Sequence, residues 1–156
     1  MNIGIILYSF SGNTLSVAER LKETLSAAGH AVNLEQIATV GPGTLAAESG
    51  ELKTKPAIDV YDGLVFGTPV RGGTPSLPMV NYLEQIPSLE GKRVTLLVTG
   101  FFPVAGWGRE QTIAQLREIC ESKGATVCDS ASVGWFSLGR KRQISAAVDR
   151  LIACFS

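Results

Sequence analysis

The sequence predicts an α/β protein in which helices cover both faces of a mainly parallel sheet. Strand-like and helix-like hydrophobic patterns alternate along all 156 residues, which is typical of successive βα units. Hydrophobic residues make up 45% of the chain and charged residues only 18%, enough apolar material for a large core. Since the sequence contains neither a linker-like stretch nor an internal repeat, we expect residues 1–156 to form a single domain.

The first half of the chain supplies three predicted elements. Residues 3–8 form a continuous apolar run, as in a central strand that is covered on both faces. Residues 15–28 carry apolar side chains at helical spacing before Gly29, and residues 31–37 alternate like a strand near an edge. Residues 40–56 form a long connection containing Gly and Pro, in which residues 45–47 could form a helical turn.

The second half repeats the pattern. Short apolar runs predict three further strands, and amphipathic stretches predict three helices between and after them. The predicted strands are residues 63–66, 93–98 and 125–133. The first two predicted helices are residues 77–86 and 110–123. The last predicted helix has its buried side at Ile144, Ala147, Val148, Leu151 and Ile152. Five strands separated by helices therefore favour a parallel sheet.

Composition excludes several classes of function. No apolar run is long enough to cross a membrane, and the N-terminus lacks the features of a signal peptide, so we expect a cytoplasmic protein. The formal net charge is zero, and we expect no binding to nucleic acid.

Cys120, Cys128 and Cys154 lack metal-ligand spacing, and we predict small buried side chains rather than disulfides. With one histidine, His30, we expect no metal site.

Three loops of unusual composition follow predicted strands. Residues 9–14 offer three hydroxyl groups and free backbone amides at the start of a helix, a place that suits a phosphate. Residues 67–75 are rich in Gly and Pro, and residues 99–108 combine glycines with aromatic side chains. The carboxyl ends of parallel strands meet at one edge of a sheet, so we expect the three loops to form one ligand site.

These loops resemble those of the flavodoxin-like family. The stretch Ser-Phe-Ser-Gly-Asn-Thr at residues 9–14 fits the family's phosphate-loop pattern, and residues 61–69 are similar to its third strand and ring-edge loop. The order of elements is similar over essentially the whole chain. The resemblance implies a flavodoxin-like three-layer sandwich, a five-stranded parallel sheet of order 2-1-3-4-5, and a bound flavin mononucleotide (FMN).

The resemblance also implies roles for individual residues. The phosphate is expected to bind Ser9, Ser11, Gly12, Asn13 and Thr14. The flavin ring is expected to lie between two further groups, Thr68, Pro69, Val70, Arg71 and Gly72 on one side, and Thr99, Gly100, Phe101, Phe102, Gly106, Trp107 and Gly108 on the other. We predict no catalytic acid or base. A dinucleotide fingerprint is absent after the first strand, which argues against an NAD-binding Rossmann domain.

Two features depart from the electron-carrier flavodoxins. The second loop has no aromatic residue, and the chain is neutral rather than strongly acidic. Basic residues are expected around the cofactor edge, at Arg71, Arg109, Arg140, Lys141 and Arg142. Cations are unfavourable at helix N-termini, which favours an anionic partner for this basic rim: NAD(P)H, an acidic redox protein or an anionic substrate. The alternative for residues 140–142 is a solvated helix end without a partner.

Three functions remain open on these observations. The first is an FMN-dependent electron carrier between partner proteins, and the second is an NAD(P)H-dependent FMN or quinone reductase that uses hydride transfer at flavin N5. The third is a binding module that keeps the fold but binds flavin weakly or not at all. The aromatic residue that stacks on the ring is also open. Trp135 and Phe136 are predicted to pack in the core, with the rim as the alternative.

Overall fold

A computed structural model describes residues 1–9, 11–39, 52–71, 73–100, 108–136 and 138–155. Strands and helices alternate over most of these residues, although the second, third and fourth strands follow one another with no described helix between them. The strands are β1 (Asn2–Leu7), β2 (Ala31–Gln36), β3 (Gly63–Arg71), β4 (Thr74–Pro75), β5 (Arg93–Gly100) and β6 (Thr126–Gly134). The helices are α1 (Asn13–Ala27), α2 (Leu77–Gln85), α3 (Arg109–Ser122) and α4 (Arg140–Ile152), and a 3-10 turn, Ala153–Phe155, follows α4.

The main sheet has the order β2-β1-β3-β5-β6, and all of its neighbouring strands run parallel. Once the short β4 is set aside, this is the predicted order 2-1-3-4-5, so the predicted flavodoxin-like topology is confirmed. The predicted ends were less accurate, because β3 continues five residues beyond residue 66, to Arg71. There it pairs in antiparallel fashion with β4, which the sequence patterns did not predict.

Helices cover both faces of the sheet and create two cores. Alternation along β1 sends Ile3 and Ile5 into one core and Ile6 into the other. The first core also holds the inner faces of α1 and α4, and the second holds those of α2 and α3. The result is a three-layer sandwich with the sheet in the middle.

A tyrosine ring packs directly on the central strand. Tyr61 is buried and lies over Gly4 of β1, where an added Cβ would be 2.6 Å from the ring atom Cδ2. The Tyr61 hydroxyl donates a hydrogen bond of 2.7 Å to Glu35 Oε2 on β2. Burial, with the carboxylate nearby, raises the pKa of this phenol. Tyr61 and the equally buried Tyr8 are therefore core residues.

The cysteine prediction was wrong for two of three residues. Cys128 on β6 and Cys154 in the 3-10 turn form a disulfide, with their Cα atoms 6.0 Å apart. The pairing depends on where β6 and the C-terminal turn meet, which the spacing of the cysteines in the sequence does not reveal. Cys120 is buried as a free thiol, as predicted.

Two other expectations have different outcomes. Trp135 is half-buried against the core beneath α1 and α4, but Phe136 is 71% exposed, so core packing was a wrong prediction for Phe136. Phe136 lies two residues beyond Gly134, the last residue of β6, and has no sheet face to cover it. The helical turn suggested at residues 45–47 falls outside the described residues. Among the described residues, no helix combines the length and apolar character needed to cross a membrane.

We predict that Gly4→Ala lowers the free energy of unfolding by about 1–3 kcal/mol, because the new methyl group overlaps the Tyr61 ring. Urea unfolding of the purified variant measures the loss. In a Tyr61→Leu background the same substitution should cost less, since the flat ring is gone. Equal losses in the two backgrounds would contradict the contact as the cause.

Candidate functional site

A cleft opens at the carboxyl edge of the sheet, where three chain segments meet. Its volume is about 310 Å³, measured out to its open mouth. The described residues that line it come from the start of α1, the end of β3 and the end of β5: Ser11, Asn13, Pro69, Val70, Arg71, Thr99 and Gly100. The described residues of the three loops therefore lie together at one edge of the sheet, as the parallel topology predicted.

The first segment turns sharply into α1. Gly12 has a φ of 88°, in the left-handed region that favours glycine, and α1 begins at the next residue. The Ser9 hydroxyl oxygen accepts hydrogen bonds from the backbone N–H groups of Gly12 (3.1 Å) and Leu15 (3.4 Å). Ser9 thus stabilises the turn, while the exposed Ser11 and the half-buried Asn13 face the cleft.

Thr14 connects the first segment to the third. Its side chain is 1% exposed, and its hydroxyl forms a 2.8 Å hydrogen bond with the hydroxyl of Thr99 on β5. The connection passes over Gly67 of β3, where an added Cβ would lie 3.2 Å from the Thr14 methyl carbon. Thr14 therefore braces the helix start against the sheet from behind the cleft wall.

The second segment, predicted only as a loop rich in Gly and Pro, contains a short hairpin. Val70 pairs with Pro75 and Arg71 with Thr74, and Gly73 in the turn has a φ of 81°. Two adjacent glycines at residues 72–73 were a signal for such a tight turn, although Gly72 itself lies outside the described residues. The hairpin explains why β3 is longer than the apolar run that predicted it.

Buried hydroxyl groups hold the base of this hairpin. The hydroxyls of Thr68 and Ser76 are 2.8 Å apart, and the Ser76 backbone N–H donates to the Thr68 oxygen at 3.2 Å. Both side chains are fully buried. Sequence reasoning missed Ser76, and the only signal for it was its position directly before α2, where serine is a common capping residue.

The third segment contributes a buried arginine. Gly108 directly precedes α3 and has a φ of 99°, and an added Cβ there would come 2.9 Å from Gly73 Cα. Next to it, Arg109 is 4% exposed, and its aliphatic stem packs against Gly100, where an added Cβ would lie 3.1 Å from Arg109 Cγ. Burial lowers the pKa of Arg109, partly opposed by the Glu110 carboxylate.

The structure places the five basic residues of the predicted rim in two groups. Arg71 lines the cleft, and Arg109 is buried beside it. The other three, Arg140, Lys141 and Arg142, border a separate groove at the start of α4, which we call the α4 groove. They form its basic side, and Trp135, Phe136 and Leu138 also line it. The Arg140 guanidinium lies 4.7 Å from the centre of the Trp135 ring.

The predicted site residues thus divide into lining and supporting groups. Seven line the cleft, as given above, and Ser9, Gly12, Thr14, Thr68 and Gly108 make contacts that brace its wall. Phe101, Phe102, Gly106 and Trp107 lie outside the described residues, as does Gly72. The neutral hydroxyl and amide donors at the helix start, next to an arginine, fit a phosphate-bearing aromatic ligand such as FMN.

The Thr14–Thr99 contact generates a prediction about stability. Thr99→Val should lower the free energy of unfolding by about 1–3 kcal/mol, because it leaves the buried Thr14 hydroxyl without its partner. Thr95→Val on the same strand is the matched control. The Thr95 hydroxyl is buried and has no hydrogen-bond partner among the described residues, so its removal should be neutral or stabilising. Equal losses in urea unfolding would contradict this assignment.

No family model matches the chain, but solved structures resemble it closely in fold. The WrbA-like flavodoxin from Agrobacterium tumefaciens is 18% identical with a TM-score of 0.72, over 99% of this chain and 97% of that one. A flavoprotein from Lactobacillus acidophilus NCFM, solved in complex with FMN, is 18% identical with a TM-score of 0.68, over 94% and 97%. Flavodoxin 2 from Bacillus cereus is 22% identical with a TM-score of 0.66, over 98% and 99%. The chain has the flavodoxin-like fold.

Proposed function

We propose that this protein binds FMN in the cleft and carries electrons between partner proteins. One observation carries the proposal: the cleft joins the N-terminal end of α1 to two chain segments that could border a flat ring. The fold supports it, since a structural neighbour with the same fold was solved in complex with FMN. The supporting contacts described above hold the cleft wall in place.

At the helix end of the cleft, Ser11 and Asn13 would bind the phosphate. Both line the cleft, and the first backbone N–H groups of α1 have no partner within the helix itself. The first turn reads Asn-Thr-Leu-Ser, without an acidic residue that would repel an anion. The helix dipole then favours a phosphate there, without any cation in the turn.

At the other end, Pro69 and Val70 would contact the flavin ring, and Gly100 and Thr99 would border it from β5. When bound, the isoalloxazine ring supplies the redox chemistry. The role of the chain is to orient this ring, to shield it from water and to set the charge around it. A cation such as Arg71, at about 8 Å and an effective dielectric constant near 20, stabilises an added electron by about 2 kcal/mol, or roughly 90 mV.

The α4 groove is the proposed docking surface for an acidic redox protein. The groove adjoins the cleft, because the Trp135 backbone N–H donates a 2.7 Å hydrogen bond to the Gly100 carbonyl in the cleft wall. Phe136 and Leu138 are strongly exposed, and so are Lys141 and Arg142. An apolar surface beside exposed positive charge suits a partner that carries acidic groups around an apolar contact.

Two alternatives have specific support. Arg71 in the cleft and the basic side of the α4 groove could bind the phosphates of NADPH, which favours an NAD(P)H-dependent FMN or quinone reductase.

A binding module without flavin is favoured by a different observation. The Gly12 N–H donates to the Ser9 hydroxyl, and the Thr14 hydroxyl is hydrogen-bonded to Thr99. Three groups predicted to hold phosphate, at Ser9, Gly12 and Thr14, therefore have partners within the chain.

The phosphate assignment predicts that Asn13→Asp weakens FMN binding at least about tenfold. The change is nearly isosteric but puts a negative charge into the cleft wall. A like charge at about 6 Å costs on the order of 3 kcal/mol before screening by salt. Quenching of FMN fluorescence during titration measures the dissociation constant.

Ser16→Asp is the matched control. Ser16 lies in the same helical turn but is exposed, and it is not among the described residues that line the cleft. It adds the same charge, so it should change the affinity much less. If the two variants weaken FMN binding equally, the assignment of the phosphate to Asn13 is contradicted. No binding of FMN to the unmodified protein would favour the module.

Anaerobic mixing with NADPH separates carrier from reductase. For the electron carrier we expect the absorbance of the FMN-loaded protein to stay unchanged with NADPH and to bleach with dithionite, because dithionite needs no nucleotide site. Rapid bleaching by NADPH would reject the carrier in favour of the reductase. If the Arg71→Gln variant is then bleached by NADPH more slowly than the unmodified protein, the nucleotide binds in the cleft, which Arg71 lines.

A further inference from the structure

The disulfide forms at an irregular point of the edge strand β6. Val94 of β5 pairs with Val127, but the next residue, Thr95, pairs with Asp129, so Cys128 is the extra residue of a β-bulge. Val127 packs towards the core beneath α2 and α3, whereas Ala131 packs towards the core beneath α1 and α4. The bulge thus reverses which face receives the odd-numbered side chains, and Cys128 bonds to the turn that follows α4.

The partner cysteine is held in place independently of the disulfide. Arg93 Nη1 donates a 2.8 Å hydrogen bond to the Cys154 carbonyl, and the adjacent Phe155 is 2% exposed. The Phe155 ring packs over Gly63, where an added Cβ would lie 2.6 Å from it. Arg150 of α4 also pairs with Asp129, next to Cys128, at 2.7 Å. These contacts keep the C-terminal turn beside β6 even when the sulfur–sulfur bond is open.

The two cysteine residues differ in their exposure to solvent. Cys128 is exposed, whereas Cys154, within the 3-10 turn, is only 6% exposed. A thiol–disulfide exchange requires a thiolate to approach one sulfur in line with the bond, so access decides which sulfur is attacked. The geometry therefore presents Cys128 as the reacting half and Cys154 as the protected half.

We propose that Cys128 is a thiol-exchange site for low-molecular-weight thiols and that Cys154 is its resolving cysteine. A thiolate attacks Cys128 Sγ, forms a mixed disulfide there and releases Cys154 as a thiolate. A second thiol attacks the mixed disulfide at the sulfur of the small molecule and releases Cys128. Two small thiols are thereby oxidised to a disulfide, and the protein disulfide is reduced by two electrons and two protons to two cysteine thiols. In the reverse direction, Cys154 attacks the mixed disulfide, expels the small thiol and closes the bond.

Closing and opening this bond changes the stability of the fold. The disulfide closes a loop between residues that are 26 apart in sequence, which restricts the unfolded chain. Reduction should therefore lower the Tm by roughly 6–14 °C while the fold is retained. The bond joins the beginning of β6 to the C-terminal turn, at the end of the sheet opposite the cleft.

The test uses oxidised glutathione on reduced protein and follows adducts by intact mass and peptide mapping after thiol alkylation. In Cys154→Ser, Cys128 should acquire one glutathione, which stays because no resolving thiol remains. In Cys128→Ser, the buried Cys154 should react at least about tenfold more slowly. The unmodified protein should return to its internal disulfide without a lasting adduct.

Cys120 is the internal control, because it is buried and its pKa is raised to about 12 by that burial. It should stay unmodified in every variant, and circular dichroism should show that each variant is folded. A second measurement needs no variant: the unmodified protein in glutathione buffers should convert between disulfide and dithiol, with the Tm falling on reduction. Equal adduct rates in the two variants, a stable adduct on the unmodified protein, or three free thiols under oxidising buffer would overturn the proposal.

Discussion

The hydrogen bond between the hydroxyls of Thr14 and Thr99 fixes the geometry on which the cleft depends. It links the first turn of α1 to the end of β5, although β3 lies between β1 and β5 in the sheet. The link is possible because Gly67 leaves room above β3 for the Thr14 methyl group. Without this brace, the helix start could shift along the sheet, and the first cleft segment would no longer face the other two.

The order of elements could be predicted from the sequence, because each strand and helix buries its own apolar stripe. Residues 3–8 and 94–98 show this clearly, since both runs are buried on two faces and both lie in interior strands of the sheet. The location of the cleft was predictable for a topological reason, namely that parallel strands end at one edge of the sheet. The roles of single hydroxyls were not: whether Ser9 or Ser11 faces the cleft depends on the turn at Gly12, which no periodicity describes.

The bulge in β6 shows a second limit of local patterns. Val127, Ala131 and Val133 are all odd-numbered and apolar, which reads as one regular strand with one buried face. In the structure they pack into two different cores, because the extra residue at Cys128 shifts the alternation. An apolar residue suits either core, since β6 has helices on both faces, and so the pattern carries no trace of the shift. The disulfide was missed for the same reason.

The distribution of charge matters more at this site than its amount. The chain has no formal net charge, yet the cleft has Arg71 in its wall and Arg109 buried next to Gly100. A buried cation acts through a lower dielectric than an exposed one and is less screened by salt. Arg109 should therefore contribute more to the field in the cleft than the exposed Lys141, even though its burial is unfavourable and lowers its pKa. An anion in the cleft would offset part of this burial cost, which gives Arg109 a physical reason to lie there.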